Sequence, residues 1–440
     1  MLERVVTKFG GSSLADDEQF RKVRSILELE PTRTYLVPSA PGKRTPADEK
    51  VTDLLYQCCS LASEGRSIEE PFSKIRERYL SIARNLHLKV DVEAELQEIE
   101  KGILGGKNRD WCASRGEYLC GVLMADYLGW KFVDAAKGIR FRDDGTLDDG
   151  KTQELLSTLL GDGSPAVVPG FYGAREDGEV VTFSRGGSDI TGALVARAVN
   201  ADVYENWTDV SGFLMADPRV VDGPAEISSI TYMELRELSH MGASVLHEDA
   251  MFPVRRAGIP TNIRNTNKPY HPGTMISRNA PDGISVPTIT GIAGHKGYSV
   301  LSVEKNMMNS EVGFGRKVLS VLEEYGISFE HMPTGIDSMC VVVKSESLEP
   351  YREQVLARLE ELVEDSGTVS VNDNMSIIAT VGRGMVHNCG TAARLFSAMS
   401  RARINVRMID QGSSELSIIV GVNDCDFEAT IRAIYHEFVG

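Results

Sequence analysis

Hydrophobic positions in the first part of the chain form short apolar runs, which alternate with stretches where apolar residues recur every three or four positions. Residues 5–9 form a run typical of a strand, and a Gly-Gly-Ser-Ser turn ends it. After Asp16, Phe20, Val23 and Leu27 share one face of a predicted helix with an acidic first turn. Further strands are predicted at 34–37, 180–183 and 201–204. This alternation indicates an α/β domain with a largely parallel sheet.

The last third of the chain contains an internal repeat. Segment 313–343 aligns without gaps to segment 390–420, which pairs Gly313 with Gly390 and Ile327 with Ile404. Each copy predicts a glycine-started helix, a strand, a turn and a strand, with one more strand before and one more helix after. Chance similarity between two short α/β units is the alternative, and the gapless register argues against it. The order β-α-β-β-α predicts a ferredoxin-like unit that is used twice.

Composition and charge narrow the function classes. The 440 residues are 42% hydrophobic and 25% charged, which is ordinary for a globular protein with two to four domains. A formal charge of -16 disfavours nucleic acid and anionic membranes as partners, because both would repel the chain. We find neither the apolar core of a signal peptide nor a run of about 18 apolar residues that could span a membrane. Seven cysteines without a CxxC pair favour reduced thiols, so we expect a cytoplasmic protein.

The first candidate for chemistry is the segment 8–13, where a lysine precedes two glycines and two serines at the end of a strand. Glycine lets backbone N–H groups approach a phosphate closely, and Lys8 can place a positive charge on a transferring phosphoryl group. The order differs from the Walker pattern, in which the lysine follows the glycines. Taken alone, the motif is equally consistent with a structural glycine turn.

A second strand enters a Gly-Gly turn at residues 184–189, and a predicted helix follows. The amino end of such a helix attracts anions, and the planar fork of Arg185 fits a carboxylate. Asp189 could orient Lys8 or bind a substrate ammonium group, and the alternative is that it only caps the helix. These features indicate a site for a second anionic group.

Two further segments carry candidate polar side chains. Residues 115–117 are expected to open a helix, where Glu117 is either an exposed first-turn acid or a carboxylate for a substrate ammonium. Residues 207–213 and 216–219 mix hydroxyl, acid and cation in a predicted loop that would suit a nucleotide, or that is an ordinary surface loop. We interpret His247 as a structural imidazole, since no Ser/His/Asp or Cys/His arrangement accompanies it.

Taken in order, these segments resemble one family, the aspartate kinases, which have the amino-acid kinase fold and tandem ACT domains. Segment 8–13 is similar to the opening KFGG[ST]S signature, and 184–189 is similar to the [GS]RGGSD element. Segment 207–219 resembles the nucleotide stretch TDVxG…DPR, and 242–247 resembles GAxVLH. With the repeat, five ordered motifs spread the resemblance over nearly the whole chain.

The resemblance implies the fold and the reaction. It implies an α/β amino-acid kinase (carbamate kinase-like) fold with a mainly parallel sheet over residues 1–287, then two ferredoxin-like ACT domains over 288–440. The first ACT domain would cover about 306–370, and the second about 371–440 with strand 288–305. The implied reaction is phosphorylation of the side-chain carboxylate of L-aspartate by ATP, the first step towards lysine, threonine and methionine. Mg²⁺ would be held by the ATP phosphates, without a side-chain ligand.

The resemblance also assigns roles to individual residues. Lys8 and Asp189 would be catalytic, and phosphates would bind at Gly10, Gly11 and Ser12. Aspartate would be bound by Ser39, Thr52, Glu117, Arg185 and Ser188. The nucleotide would be bound by Thr208, Asp209, Leu214, Arg219 and Ser244. Ser244 replaces a lysine that many relatives carry in GAKVLHP, so only a backbone contact to the nucleotide is expected there.

Paired ACT domains imply feedback inhibition by an amino acid, lysine or threonine or both. They also imply a homodimer built through these domains, or a tetramer. Effector residues are expected in the first copy, namely Met308, Glu311, Gly313, Phe314, Ser328, Phe329, Glu330 and Asp337.

Two other functions fit parts of the sequence. One is a non-catalytic amino-acid sensor, which the intact Lys8, Arg185 and Asp189 argue against. The other is a sister kinase that acts on glutamate or acetylglutamate, which the ACT repeat and the segment 207–212 argue against. One assay of ADP release with alternative substrates would separate the three.

Overall fold

The structure is a computed structural model that describes residues 4–243, 251–279 and 287–440. These residues form two compact units. The first unit comprises residues 4–213, 228–232 and 251–279, and the second comprises residues 214–227, 233–243 and 287–440. The predicted domain boundary at residue 287 remains a prediction.

A mainly parallel sheet of eight strands lies at the centre of the first unit. In spatial order its strands are β10 (Ser229–Thr231), β12 (Thr274–Ser277), β11 (Thr261–Asn265), β7 (Val203–Thr208), β1 (Val5–Phe9), β2 (Arg33–Pro38), β4 (Ala166–Val167) and β3 (Lys131–Phe132). Strands β11 and β12 run antiparallel, and every other neighbouring pair is parallel. Because β1, β2 and β7 are parallel neighbours, their carboxyl ends meet at one edge of the sheet.

Helices lie on and around this sheet. They are α1 (Asp17–Leu29), α2 (Val51–Ser63), α3 (Glu69–Leu86), α4 (Val92–Leu104), α5 (Arg109–Leu128), α6 (Ala135–Gly138), α7 (Asp149–Leu160), α8 (Gly187–Ala198) and α10 (Phe252–Ala257). Shorter elements of the first unit are a 3-10 turn (Gly11–Leu14) and the hairpin β5 (Tyr172–Ala174) and β6 (Val180–Thr182). Strand β8 (Phe213–Leu214) contains a boundary between the units, and β9 (Glu226–Ile227) and α9 (Tyr232–His240) consist mainly of residues of the second unit. The predicted helix after Asp16 is confirmed: the Asp16 carboxylate accepts from Gln19 N at 3.0 Å, and Phe20 and Val23 are buried.

The second unit contains one antiparallel sheet of six strands. In spatial order they are β14 (Phe329–His331), β15 (Ser338–Lys344), β13 (Gly291–Lys305), β16 (Gly367–Val381), β18 (Ser417–Asn423) and β17 (Met408–Asp410). Its helices are α11 (Phe314–Glu324), α12 (Ser345–Leu348), α13 (Arg352–Val363), α14 (Thr391–Arg401) and α15 (Phe427–Phe438). Single 3-10 turns occupy Met308–Ser310, Glu349–Tyr351, Glu364–Ser366, Arg383–His387 and Asp424–Asp426. The predicted order β-α-β-β-α, used twice, is confirmed.

The two copies match closely at their helices and diverge afterwards. Gly313 and Gly390 precede α11 and α14, and both have φ 86, a left-handed conformation that suits glycine. Ile327 and Ile404 are both buried beyond the helix ends. Residues 325–328 then connect α11 to β14, whereas the longer stretch 402–407 connects α14 to β17. The gapless alignment is therefore right through the helices and wrong at the strands, where the second copy has extra residues.

The cysteines and the helices bear on the expectations from composition. All seven cysteines are free thiols. Burial raises the pKa of Cys58 and of Cys112 to about 12, so neither thiol is a ready nucleophile near neutral pH. Over residues 4–243, 251–279 and 287–440, no helix is both long and apolar enough to cross a bilayer.

Candidate active site

Lys8 is a buried lysine near the carboxyl end of β1. Only 8% of it is exposed, and its Nζ lies 2.5 Å from Asp189 Oδ1. A lysine ammonium is retained at such a depth when a carboxylate pairs with it. The structure thus brings together the two residues that the resemblance assigned to catalysis, although they are far apart along the chain.

Asn206 completes this arrangement, and the sequence reasoning did not single it out. Its Nδ2 donates to Asp189 Oδ1 at 2.8 Å, and its Oδ1 accepts from Lys8 Nζ at 3.5 Å. The parallel register of β1 and β7 places Lys8 directly opposite Asn206. The available signal was its position just before the nucleotide-like segment, at the end of a strand. Asp189 and Asn206 thus hold the Lys8 ammonium from two directions.

Asp189 does not act as a helix cap. Helix α8 begins at Gly187, and its N-cap is Gly186, which has φ 58 and no side-chain cap. The Asp189 carboxylate instead faces Lys8 and Asn206. Beside it, Ser188 is buried so close to Gly170 that a Cβ at Gly170 would lie 2.6 Å from Ser188 Oγ. The alternative that Asp189 only caps the helix is therefore wrong.

The glycine loop is held between two strand exits. Gly10 N donates to Trp207 O at 3.1 Å, and Gly42 N donates to Gly11 O at 2.8 Å. A Cβ at Gly11 would lie 2.9 Å from Ala40 O, so only glycine fits there without a shift of the backbone. Ser12 is exposed and remains accessible at the edge of the sheet. The loop thus presents backbone and a hydroxyl near Lys8.

Glu117 lies deeper in its helix than the sequence indicated. Helix α5 begins at Arg109, because Asn108 Oδ1 accepts from Trp111 N at 2.7 Å and caps it. The expectation that residues 115–117 open a helix, with Glu117 in the first turn, is therefore wrong. Glu117 is 6% exposed, and its Oε2 accepts no hydrogen bond from the described residues. Burial raises the pKa of Glu117 to about 8, against the smaller lowering effects of backbone hydrogen bonds and of the Arg115 charge. No ion pair reaches this carboxyl within the described residues, so a ligand ammonium could supply one.

The exit of β2 joins these elements. Ser39 N donates to Phe9 O at 3.1 Å, and Gly170 N donates to Pro38 O at 3.0 Å. A Cβ at Gly116 would lie 2.9 Å from the Ala40 Cβ, which places the middle of α5 against the same segment. The Ala40 backbone also bonds the Glu117 carboxyl. The glycine loop, α5 and the start of α8 therefore converge on residues 38–42.

Arg185 and Thr52 have fewer contacts. Arg185 is exposed in the turn between β6 and α8, and its guanidinium forms no ion pair with any part of the chain that the structure describes. Thr52 is half-buried in the first turn of α2, without a side-chain hydrogen bond to described residues. Arg185 is thus a free cation within a few residues of Asp189, whereas Thr52 is joined to the cluster by no direct bond.

The nucleotide-like segment divides between the two units. Strand β7 runs to Thr208, so the expectation that the predicted loop begins at residue 207 is wrong, and Thr208 Oγ1 donates to Asp209 Oδ1 at 3.2 Å. These residues belong to the first unit, whereas Leu214 and Arg219 belong to the second. Arg219 Nη2 lies 2.6 Å from Asp217 Oδ2, and this contact lowers the pKa of Asp217. Ser244 and His247 lie outside the described residues.

The expected effector residues lie around the start of α11 and the strand β14, with differing exposure. Met308 and Phe314 are buried in the core of the first copy, next to the left-handed Gly313, while Ser328 and Phe329 are exposed. Glu311 pairs with Lys305 at 2.7 Å and with Lys317 at 2.5 Å. Glu330 pairs with His240 at 2.9 Å, and Asp337 Oδ1 accepts from Met307 N at 2.9 Å. A cationic effector would therefore compete with existing partners of these acids.

Comparison with known proteins identifies the family. The amino acid kinase family model matches residues 3–265, and an ACT domain model matches residues 378–438. Aspartokinase 3 of Bacillus subtilis (strain 168) is 39% identical, over 98% of this chain and 98% of that protein. The crystal structure of Clostridium acetobutylicum aspartate kinase, described as an allosteric enzyme, is 49% identical with a TM-score of 0.92, covering 99% of this chain and 100% of that one.

A further structural neighbour is E. coli aspartokinase III in complex with lysine and aspartate in the T-state. It has a TM-score of 0.74 at 25% identity and covers 99% of this chain and 100% of that chain. These similarities extend over both the parallel-sheet unit and the repeat, and they confirm the predicted fold class and activity. The chain therefore belongs to the aspartokinase family, the kinases that phosphorylate aspartate with ATP.

Proposed function

We propose that the cluster around Lys8 is where this chain transfers the γ-phosphoryl group of ATP to the side-chain carboxylate of L-aspartate, giving 4-phospho-L-aspartate. The observation that carries this proposal is the buried Lys8 ammonium, held 2.5 Å from Asp189 Oδ1 at the edge where parallel strands end. Two anions must approach each other in this reaction. A fixed positive charge between them lowers the repulsion, more so in a site that excludes water.

Lys8 acts as an electrostatic catalyst and not as an acid or base. The aspartate carboxylate is already ionised near neutral pH, so no group has to remove a proton from the nucleophile. Asp189 pairs with the Lys8 ammonium, and Asn206 helps to orient it towards the reacting oxygens. Positioning of this kind supplies much of the rate enhancement in phosphoryl transfer.

The phosphates of ATP lie against the glycine loop. Gly11 and Ser12 offer backbone N–H groups, Gly10 lets the phosphates approach closely although its own N–H is bonded to Trp207 O, and the Ser12 hydroxyl is exposed to receive a phosphate oxygen. Thr208 and Asp209 follow from the neighbouring strand end and bind the nucleotide, together with Leu214, Arg219 and the backbone of Ser244. Mg²⁺ is held by the phosphates of the nucleotide, as the family resemblance implies.

Aspartate is held by its two charged α-substituents. The Glu117 carboxyl has an unsatisfied Oε2 and receives the ammonium, assisted by Asp189. The Arg185 guanidinium clamps the α-carboxylate, because it has no competing ion pair among the described residues. Ser39, Thr52 and Ser188 line the remainder of the site. This polarity selects an amino acid and leaves its side-chain carboxylate facing Lys8.

The repeat is the regulatory part of the enzyme. We propose a kinase domain over residues 1–287 and tandem ACT domains over 288–440, which bind lysine, threonine or both and join two chains into a homodimer or a tetramer. The lysine complex of E. coli aspartokinase III and the acids Glu311, Glu330 and Asp337 near the start of the first copy support lysine as an effector. The free thiols support a cytoplasmic location.

An assay of ADP release tests the reaction and its substrate. The intact protein is given ATP and Mg²⁺ with L-aspartate, L-glutamate, N-acetyl-L-glutamate or no acceptor. ADP release that requires aspartate supports the proposal, whereas release with glutamate or no response to any acceptor would contradict it. Lys8→Met should lower kcat by at least about a hundredfold, as loss of a charge-stabilising donor does elsewhere. Lys151→Met is the matched control, because Lys151 is an exposed lysine whose ammonium pairs, among the described residues, with Glu154 alone.

A further inference from the structure

Arg115 is a buried arginine without a carboxylate partner. Only 7% of it is exposed, yet no ion pair links its guanidinium to any carboxylate in the described residues. Nε donates to Ser114 Oγ at 3.2 Å and to Trp111 O at 3.3 Å, and Nη2 donates to Ser114 Oγ at 2.9 Å. Nη1 meets no acceptor within that part of the chain. Arginine stays charged in proteins, so a buried charge here has an unfilled place for an anion.

Aromatic rings surround the same guanidinium. Its carbon lies 4.9 Å from the centre of the Trp111 ring, 4.5 Å from Tyr118 and 5.4 Å from Tyr172. Ring faces attract a cation and partly replace the water that it has lost. They also keep the guanidinium plane in one orientation, which preorganises its remaining N–H groups for a planar anion such as a carboxylate.

A cavity of about 390 Å³ lies beside this guanidinium, between α4, the following loop and α5. Ile99, Trp111 and Tyr118 form its apolar wall. Glu95 and Glu98 also line it, and the Glu95 carboxylate adds to burial in raising the pKa of Tyr118 to about 12. The volume lies within the usual range for small-molecule sites. Lys101 and Lys107 line it too, and Lys101 Nζ lies 3.8 Å from Glu98 Oε1. The cavity therefore combines one buried cation, two exposed lysines, carboxylates and aromatic surface.

We propose that this cavity binds a free amino acid with an apolar side chain, at a site separate from the aspartate site. The ligand carboxylate pairs with Arg115, its ammonium pairs with Glu95 or Glu98, and its side chain packs on Trp111 and Tyr118. A phosphate or a dicarboxylate would bring no ammonium group to the two glutamates. Arg115 and Glu117 are two positions apart on α5, about 200° around the helix, so the two sites use opposite faces.

Calorimetric titration of the intact protein with L-phenylalanine tests the proposal. Saturable binding is expected, and Arg115→Met should weaken it at least tenfold because the ligand carboxylate would lose the buried cation with which it pairs. Glu95→Gln should weaken it several-fold while leaving the carboxylate contact. The matched control is Arg109→Met, since Arg109 is exposed on the same helix and stacks on Tyr56 at 4.5 Å, outside the cavity. This control should bind L-phenylalanine as the parent protein does.

Ligand analogues keep the test decisive without any variant. L-phenylalaninamide lacks the carboxylate and 3-phenylpropionate lacks the ammonium, so each should bind the unaltered protein at least tenfold more weakly than L-phenylalanine. The proposal is overturned if L-phenylalanine shows no saturable binding, or if folded Arg115→Met binds it equally well. Equal binding of 3-phenylpropionate, or binding of inorganic phosphate in place of amino acids, would also overturn it.

Discussion

In the proposed mechanism, Asn206 helps to orient the Lys8 ammonium. Asn206→Ala removes one hydrogen bond from the Lys8 ammonium and one from the Asp189 carboxylate, and it leaves the ion pair between Lys8 and Asp189 in place. A net loss of about 1.4 kcal/mol of transition-state stabilisation corresponds to about a tenfold fall in kcat. We expect that fall with little change in the KM for aspartate, as measured by ADP release. Asn267→Ala is the control, because Asn267 bonds an exposed lysine, and unchanged kcat in Asn206→Ala would contradict this role.

The proposed contact between Glu117 and the aspartate ammonium predicts that aspartate binding depends on pH. Its raised pKa of about 8 means that the carboxyl is largely protonated near about pH 7, whereas an ammonium partner requires the ionised form. Binding of aspartate should therefore release close to one proton, and the affinity should rise as pH increases towards about 9. Calorimetry in two buffers of different ionisation enthalpy measures the release. Glu117→Gln should bind aspartate weakly and release no proton.

The same shift has a consequence for stability. A carboxyl whose pKa is raised in the folded state stabilises the fold while protonated, and this contribution is lost as pH rises from about 4.5 through about 8. Glu117→Gln should therefore have a higher Tm than the parent protein above about pH 8, and the difference should vanish in mild acid. Equal melting temperatures throughout would mean that Glu117 is not buried as described.

At the residue scale, the sequence indicated which side chains could carry chemistry, but it did not indicate their burial or their neighbours. Lys8 and Asp189 were identified because lysine and aspartate next to glycine turns suggest phosphate chemistry. Asn206 was missed, because an asparagine in a strand carries no such pattern and gains its role only from the register that places it opposite Lys8. The burial of Glu117 was equally invisible, since it depends on where α5 begins.

At the scale of one element, two neighbouring glycines of the glycine loop allow the effects of packing and of phosphate binding to be measured separately. A Cβ at Gly11 would lie 2.9 Å from Ala40 O and 3.2 Å from Gly42 N, so Gly11→Ala must displace backbone. A Cβ at Gly10 would meet nothing nearer than 3.8 Å, at Lys8 Nζ and Trp207 O. Gly11→Ala should therefore lower the Tm, with a loss of about 1–3 kcal/mol typical of overpacking.

Gly10→Ala serves as the matched variant for this element. It should keep the parent Tm and raise the KM for ATP, because the added methyl group faces the space beside Lys8 that a phosphate would occupy. Thermal melts and initial rates with varied ATP measure both effects. If Gly10→Ala melted as early as Gly11→Ala, the difference in packing between these two positions would be refuted.

Element boundaries were predicted well where a local signal exists. The helix after Asp16 and its apolar face were both predicted, and the residues that precede α11 and α14 are glycines, which readily adopt the left-handed conformation found there. The predicted start of α5 is wrong because nothing in the sequence pattern identified Asn108 as the N-cap of this helix. The two copies were misaligned at their strands because the second copy has a longer connection between helix and strand. The length of a loop leaves no periodic signal in the sequence.

At the scale of the whole molecule, the order of the motifs along the chain predicted more of the fold than the periodicity of hydrophobic residues did. Strand β1 pairs with β7, and their residues are nearly two hundred positions apart, so hydrophobic patterning gave no means to pair them. Residues 214–227 and 233–243 group with the second unit although they precede much of the first along the chain. Such assignments depend on tertiary contacts, whereas family resemblance fixed the fold class and the reaction directly.

Feedback regulation is a property of the whole molecule, and thermodynamic linkage makes it testable. If lysine or threonine weakens aspartate binding by some factor, aspartate must weaken binding of that effector by the same factor. We expect a factor of about 5–150, the usual range of coupling between sites. Calorimetric titration of each ligand, with and without the other at saturation, measures both factors independently.

The acid Glu330 provides the variant for this test. Its side chain pairs with His240 and lies at β14, where an effector ammonium would replace that partner. Glu330→Gln should reduce inhibition by lysine while leaving kcat and the aspartate KM unchanged in its absence. Glu353→Gln, an exposed acid on α13, should retain full inhibition. In the linkage test, unequal coupling factors for aspartate and effector would exclude a shared equilibrium. If the same concentration of lysine inhibited Glu330→Gln and the parent protein equally, the effector would bind away from Glu330.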